Sequence, residues 1–259
     1  MIPVHWVIQE NQSDSVGVRA IVQSLESEGH IPHLVWLSKS PDVPAIPDLP
    51  DGAPLVCHGP GFVTRALNHP RLRPGLFFDP ATFCWSAFRR GWEDAMLSAD
   101  GRVMSLSAAQ ELLSNGVTAF IRPDADSKVF EGGVYDASGL VAVTRQISDL
   151  DAISVVVASP VNIEAEWRFV IVSAEIVGCS EYRRWGLIST QGSVPHAAIE
   201  LAAELASRWS PADVYCIDLA ATAGRIGVVE ANCFNASRLY AAVTSRVVCA
   251  VNAYVLGRF

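Results

Sequence analysis

The sequence predicts an α+β protein with a small α/β lobe at its N-terminal end. In residues 1–76, short β-rich runs alternate with a helical pattern, which is typical of a sheet with parallel strands. From residue 77 onward, strand-like runs dominate and only a few helical patterns interrupt them. We therefore expect a lobe over residues 1–76 and a larger domain over 77–259, divided into subdomains of about 77–157 and 158–259.

The predicted elements of the lobe follow one another closely. A β-rich run at Val4–Ile8 opens the chain. Apolar residues then recur at the helical spacing i, i+3, i+4 and i+7 and are followed by a glycine: Val18, Ile21, Val22, Leu25 and Gly29. His33–Leu37 and Pro54–His58 predict two further strands. The five prolines of SKSPDVPAIPDLPDGAP predict a loop between them, because proline continues neither a helix nor a central strand.

The larger domain is predicted to be rich in strands. The aromatic segment FFDPATFCWSAFRRGWEDAML predicts a connector and a helix, and further helices are expected near Ser107–Ser114 and along Ile199–Ala206. The predicted strands are Val117–Arg122, Gly133–Tyr135, Ile153–Ala158, Glu166–Val172, Glu175–Tyr182, Val214–Ala220 and Arg225–Asn232.

Composition and charge exclude several classes of function. Half of the residues are hydrophobic, which allows a substantial core, and the net charge of -8 without a Lys/Arg-rich block opposes binding to nucleic acid or an anionic membrane. Apolar runs such as Val247–Val251 are far shorter than the roughly 20 residues that cross a bilayer, and the first residues lack a signal-peptide pattern. Six scattered cysteines without metal-site spacing indicate reduced thiols and a cytoplasmic protein.

The segment VYCIDLAATAGRIGVVEANCFNAS predicts a hairpin that carries oxygen-bearing side chains. Its two apolar runs flank the short loop Ala-Thr-Ala-Gly-Arg. A turn centred near Gly224 places Asp218 opposite Glu230. Opposite residues of an antiparallel pair share a face, and Asn232, two residues beyond Glu230, joins them. Three such groups suit a hard cation such as Mg²⁺. The solvent-facing side of an amphipathic hairpin fits the same pattern.

A second segment, FIRPDADSKVFEGGVY, carries two basic residues of interest. Arg122 closes an apolar strand before Pro123, and Lys128 lies on a short polar loop before two glycines. Arginine offers a fixed fork of donors and lysine a mobile charge, and both suit phosphate oxygens. Taken singly, both residues also fit ordinary surface charges.

A third segment, VVVASPVNIEAEWRFVIV, joins an extended linker to a charged strand. An apolar strand ends in Ala158-Ser159-Pro160-Val161, a linker whose backbone groups need not pair within a sheet. Glu166 and Arg168 then share one face of the next strand. From these residues alone, the preferred interpretation is a structural ion pair between Glu166 and Arg168.

In this order, the three segments resemble the ATP-grasp superfamily, in which two α+β subdomains hold ATP between them. The shared features are a basic residue followed by proline, an apolar linker before a Glu-bearing strand, and a late Asp…Glu-x-Asn hairpin. The segments FIRPDADSKVFEGG, EWRF and VVEAN resemble more closely still the ATP-grasp clade named after two arginines and a lysine. The resemblance covers about Phe77–Tyr240, and the first lobe resembles the family's pre-ATP-grasp domain.

The resemblance implies metal and phosphate contacts. Asp218, Glu230 and Asn232 match the family's Mg²⁺ ligands. Arg122 stands where most ATP-grasp enzymes have a lysine, and Lys128 lies in the loop that covers the phosphates, so both are implied phosphate contacts.

It also implies nucleotide and catalytic positions. Glu166 matches the carboxylate that binds the ribose hydroxyls. The segment Val157–Val161, with Val157, Ala158 and Val161, matches the hinge whose backbone reads the adenine edge. The implied catalytic residues are Lys128 of the loop that covers the phosphates together with Arg168 and Arg183, which fit the basic positions that face the γ-phosphate and the acyl phosphate.

The activity implied by the resemblance is an ADP-forming carboxylate–amine ligase with ATP and Mg²⁺ as cofactors. Such a reaction needs no protein nucleophile, in agreement with a sequence that lacks GxSxG, HExxH and Walker motifs. The expected partners are small-molecule or peptide carboxylates and amines, and a homodimer stays open. An ATP-binding module, or a kinase-like phosphotransferase without ligase activity, is the alternative.

Overall fold

The computed structural model describes residues 2–38, 47–127 and 129–258, in which α-helices surround three β-sheets. The helices in these ranges are α1 (Ser15–Ser27), α2 (Pro60–Ala66), α3 (Trp85–Trp92), α4 (Leu106–Ser114), α5 (Ala137–Thr144), α6 (His196–Arg208) and α7 (Thr244–Leu256). Residues 39–46 of the predicted proline-rich loop, and the predicted phosphate contact Lys128, lie outside the described residues.

The first sheet is parallel and lies within the residues of the predicted N-terminal lobe. Its strands are β1 (His5–Gln9), β2 (Ile31–Val35) and β3 (Leu55–His58), in the order β2-β1-β3. Helix α1 connects β1 to β2, as the β-α-β pattern predicts, and begins where the Asp14 side chain accepts a hydrogen bond from the Gly17 N–H at 3.0 Å. Strand β2 begins two residues before the predicted run at His33.

The second sheet is antiparallel and precedes the linker. Its strands are β4 (Arg102–Ser105), β5 (Ala119–Pro123), β6 (Gly133–Tyr135) and β7 (Ser154–Ala158), in the order β4-β7-β5-β6. Helices α4 and α5 supply Leu113 and Leu140 to a core that also contains Ile121 and Val155. This packing buries one side of the sheet against helices.

The third sheet is also antiparallel and is the largest of the three. Its strands are β8 (Ala165–Val172), β9 (Glu175–Arg184), β10 (Leu187–Ile188), β11 (Val214–Thr222) and β12 (Arg225–Cys233), in the order β10-β9-β8-β11-β12. One face presents Trp167, Phe169 and Tyr215 to the core shared with α3 and α6. Alternate residues of each strand therefore point to the opposite face.

That opposite face is divided into an apolar half and a charged half. Val170, Val172 and Val214 pack in a core with α1, α7 and the first sheet. Arg168 and Asp218 continue the same alternation along β8 and β11, beyond the part that these elements cover. The change from valine to charged residues within single strands thus marks where the core ends.

The lobe and the C-terminal helix share one core. Trp6 is fully buried there, and its indole N–H donates to the Asn252 side chain of α7 at 2.8 Å. The predicted domain boundaries remain predictions. Among the described residues, no helix is long and apolar enough to cross a membrane.

The sequence analysis missed five of these elements: α2, α5, α7, β4 and β10. Helix α7 had a usable signal, because Val247, Val248, Val251 and Val255 are all buried and follow helical spacing. Helix α2 has only seven residues, with Gly59 before it and Gly61 in its first turn, so its local pattern is weak.

Candidate active site

The hairpin β11–β12 brings together the three predicted metal ligands. Asp218 lies opposite Glu230, which confirms the predicted register. The Asn232 side-chain amide donates to Asp218 Oδ2 at 3.0 Å and to Glu230 Oε1 at 3.1 Å. The three side chains therefore occupy one small area of the charged face.

Arg168 lies on the neighbouring strand β8 and binds Asp218. Its Nε donates to Asp218 Oδ1 at 2.8 Å, and its Nη2 donates to Asp218 Oδ2 at 2.7 Å. The guanidinium carbon also lies 5.4 Å from the ring centres of both Tyr182 and Tyr240, which stack on each other at 5.1 Å. Arg168 is thus held by a carboxylate and two aromatic rings.

The predicted ion pair between Glu166 and Arg168 is wrong. Register places Arg168 beside Asp218 and Glu166 beside Arg183, because each charged residue lies opposite a partner on an adjacent strand. Arg183 Nη1 lies 3.3 Å from Glu166 Oε1, and the Tyr182 hydroxyl donates to Glu166 Oε2 at 2.7 Å. Residues two apart on one strand share a face, but cross-strand neighbours lie closer and form the pairs.

Arg122 reaches the site from the other sheet. It lies on β5, and its Nη1 donates to Glu230 Oε2 at 3.0 Å. This contact joins the second and third sheets across the cleft between them. The predicted phosphate contact and a predicted metal ligand are therefore direct neighbours.

Burial and the arginines act in opposite directions on the carboxylates. Burial raises the pKa of Asp218, and the Arg168 guanidinium counteracts this effect. Burial also opposes ionisation of Glu230, but Arg122, the Asn232 amide and Arg168 outweigh it and lower the pKa of Glu230 below its usual value. Desolvation raises the pKa of Tyr182, and the nearby carboxylates raise it further, so its hydroxyl stays a hydrogen-bond donor.

These groups line a cleft of about 680 Å³ between the two sheets. Arg122, Arg168, Arg183, Glu166, Asp218, Glu230 and Asn232 all contribute to its wall. Tyr182 and Tyr240 also line it, and the sequence analysis assigned no role to either. The signal of Tyr182 was weak, because a tyrosine next to a charged residue is common in strands, and Tyr240 lies in a turn with no strand pattern around it.

A smaller apolar cavity of about 200 Å³ adjoins the same cleft. Phe120 and Val134 of the second sheet and Val228 of the third sheet line it, together with Val161 of the linker. Ile163 is common to both cavities. The linker thus connects the sheets beside an apolar cavity.

The predicted hinge residues differ in position. Val157 and Ala158 are buried in β7 and pair with Ile121 and Phe120, whereas Val161 lies in the linker and lines the apolar cavity. Asp100 fixes the start of the linker, because its carboxylate accepts a hydrogen bond from the Ser159 N–H at 3.0 Å.

Asp218, Glu230 and Asn232 carry the type of ligand atoms that magnesium binds. Among the described residues, no three Asp, Glu, His or Cys side chains are grouped as a metal site. The set consists of two carboxylates and one amide, which are oxygen ligands that Mg²⁺ accepts, and a single side-chain amide contacts both carboxylates.

Comparison with solved structures identifies the fold. The RimK-domain ATP-grasp protein from Sphaerobacter thermophilus aligns with 98% of this chain and 100% of its own, with a TM-score of 0.67 and 17% identity. D-cycloserine synthetase DcsG aligns over 97% and 99%, with a TM-score of 0.61 and 12% identity. The D-alanine–D-alanine ligase from Bacillus anthracis in complex with ATP aligns over 100% and 98%, with a TM-score of 0.61 and 15% identity.

The chain has an ATP-grasp fold, because two of its sheets enclose a charged cleft beside an apolar cavity and its structure is similar to those of these proteins. Residues 100–250, more than half of the chain, match the model of an ATP-grasp domain family, the second family of the clade named after two arginines and a lysine. The chain belongs to this family, as the sequence resemblance predicted. Comparison with curated proteins gave no match.

Proposed function

We propose that this protein is an ATP-dependent ligase that joins a carboxylate to an amine. One observation carries the proposal: three arginines, three carboxylates and an amide converge on one cleft, next to an apolar cavity of suitable size for a purine ring. The family match and the ligases among the structural neighbours support the same class.

ATP would lie across both cavities. The adenine ring would occupy the apolar cavity near Val161, and Glu166 would bind the ribose hydroxyls in the larger cleft. Arg122 and Lys128 are the proposed phosphate contacts. This placement puts the polar end of the nucleotide beside the polar end of the cleft.

Magnesium would be held by Asp218, Glu230 and Asn232. Besides Glu166, Asp218 and Glu230, the cleft is also lined by Asp126 and Glu131, so its five acidic residues outnumber the three described arginines and a polyphosphate would meet net repulsion without added cations. Bound Mg²⁺ supplies the neutralisation of phosphate charge. In this structure, Arg168 contacts Asp218 and Arg122 contacts Glu230. We expect both guanidinium groups to shift from these proposed metal ligands towards phosphate oxygens when the nucleotide binds.

The proposed reaction has two steps. A carboxylate oxygen of the first substrate attacks the γ-phosphorus, and the bond to the β,γ-bridging oxygen breaks to give an acyl phosphate and ADP. The amine nitrogen of the second substrate then attacks the acyl carbon, phosphate leaves, and the nitrogen loses a proton. Positioning and charge neutralisation by Arg168, Arg183 and Lys128 would carry most of the catalysis.

The decisive experiment measures ADP release from Mg-ATP with purified protein. Amino acids and short peptides are supplied as carboxylate alone, as amine alone and as pairs, and mass spectrometry identifies the product. A ligase releases ADP and forms an amide only when both are present. Phosphorylated product without an amide identifies a phosphotransferase, and ATP binding without ADP release identifies a binding module. Either result overturns the proposal.

A further inference from the structure

The hairpin of β9 and β10 exposes three large apolar side chains at the edge of the third sheet. Trp185 is 66% exposed, Leu187 75% and Ile188 77%. Single exposed apolar residues are ordinary on a protein surface, but three within four consecutive positions are unusual. We call Trp185, Leu187 and Ile188 the apolar tip.

The apolar tip is built into the sheet. Trp185 and Gly186 form a two-residue turn with φ values of 49° and 77°, which suits a tight hairpin. The Trp185 N–H donates to the Glu164 carbonyl at 2.8 Å, and the Ser189 N–H donates to the Tyr182 carbonyl at 3.1 Å. These backbone contacts hold the hairpin next to the segment that leads from the linker into β8.

The two residues of β10 point to opposite faces. Ile188 lies opposite Arg183, and Leu187 lies opposite Arg184. Arg183 contacts Glu166 on the charged face, whereas Arg184 binds Glu181 on the other face. Because opposite residues share a face, Ile188 lies on the face of the sheet that carries the cleft, next to Arg183, and Leu187 lies on the other face.

Arg183 is the described cleft arginine that is most open to solvent. Its side chain is 47% exposed, compared with 14% for Arg122 and 11% for Arg168. Its contact with Glu166, at 3.3 Å, is also longer than the contacts of the other two arginines with their carboxylates. Arg183 therefore combines an accessible positive charge with an apolar neighbour, Ile188, on an edge strand.

We propose that Arg183 and Ile188 form a subsite for a substrate whose carboxylate stands next to a large apolar group. An amino acid with a leucine-like side chain, or a peptide that ends in one, has this chemistry. The carboxylate would pair with the guanidinium while the side chain covers Ile188. The inference rests on the proposed function, because it names the substrate class of the same cleft.

The test compares two probes that differ only in the apolar group, N-acetyl-leucine and N-acetyl-glycine. Their binding to the full chain is measured by calorimetry without nucleotide. We expect roughly tenfold tighter binding of N-acetyl-leucine, as one small aliphatic group gives at an apolar subsite. Ile188→Ser should remove this preference. Leu187→Ser is the matched control, since it is equally exposed on the same strand but on the other face, and it should keep the preference.

Equal binding of the two probes to the unaltered protein, or equal loss of preference in both serine variants, overturns the subsite. A dimer that dissociates in both variants also overturns it, because the apolar tip is then an interface between copies. The ADP-release screen is separate. A leucine preference without ADP release supports the subsite and overturns the ligase, whereas ADP release without a leucine preference overturns the subsite alone.

Discussion

Arg168 and Asp218 form a bidentate ion pair at the boundary between the core and the cleft. The two hydrogen bonds measure 2.8 and 2.7 Å, and the side chains are only 11% and 1% exposed. Burial lowers the pKa of Arg168, but Asp218 raises it by more, so the guanidinium remains charged. Asp218 thus depends on Arg168 for its compensating charge.

Loss of this partner should be costly. Arg168→Met leaves Asp218 as a buried carboxylate without a counter-charge, and we expect the free energy of unfolding to fall by roughly 3–5 kcal/mol at neutral pH. Part of the lost free energy of unfolding should be recovered as the pH falls through the raised pKa of Asp218, because the folded protein then binds a proton that the unfolded chain does not yet bind. Urea denaturation across pH measures both effects.

The double variant Arg168→Met with Asp218→Asn is the control. It removes both charges, so it should be more stable than the single variant at neutral pH and lose the recovery at low pH. A single variant as stable as the unaltered protein contradicts the dependence of Asp218 on Arg168.

Glu230→Gln tests the magnesium assignment. Replacement of a proposed metal ligand should weaken Mg²⁺-dependent binding of an ATP analogue by roughly a hundredfold, since loss of even an outer partner costs about 10–100-fold. Calorimetry with and without Mg²⁺ measures the effect, and ADP release should fall with it. Glu175→Gln, exposed at the far end of the same sheet, serves as control. An unchanged Mg²⁺ requirement in Glu230→Gln refutes the assignment.

The loop over residues 124–133 should respond to nucleotide. Its polar, glycine-flanked sequence predicts that it closes over the phosphates and brings Lys128 to them. We expect amide hydrogen exchange in this segment to slow when a non-hydrolysable ATP analogue and Mg²⁺ are added, and Lys128→Met should reduce the effect. Identical exchange rates with and without the analogue contradict loop closure.

His58 should make stability depend on pH. Burial lowers its pKa to about 4, although the Ser237 backbone and Asp14 oppose the shift. The unfolded chain therefore binds more protons between pH 6.5 and about 4, so stability is fully present above this window and is lost as pH falls through it. The loss should be on the order of 3 kcal/mol.

Urea denaturation of His58→Phe should show a shallower loss of stability over the same pH range. His196→Gln is the control, because it removes a histidine whose side chain is 82% exposed and leaves the buried site intact. If His58→Phe and the unaltered protein lose stability in parallel, His58 is not the group responsible.

The sequence alone determined the family and much of the fold. The two apolar runs and the short loop predicted the pairing of Asp218 with Glu230 and the shared face with Asn232, although the register shifts by one residue between Asp218 and Leu219. Local patterns of this kind are reliable because the residues involved are close in sequence, so few alternative pairings compete.

Tertiary structure decided which charges pair. Arg168 and Glu166 are two residues apart, yet each binds a partner on another strand, and Arg122 meets Glu230 from a different sheet. The role of Tyr240, the position of α7 against the lobe and the exposure of Ile188 also depend on contacts between distant segments. The sequence specifies the faces of its strands through alternation, but the pairing of charges depends on which strands become neighbours, and burial of the apolar faces decides that.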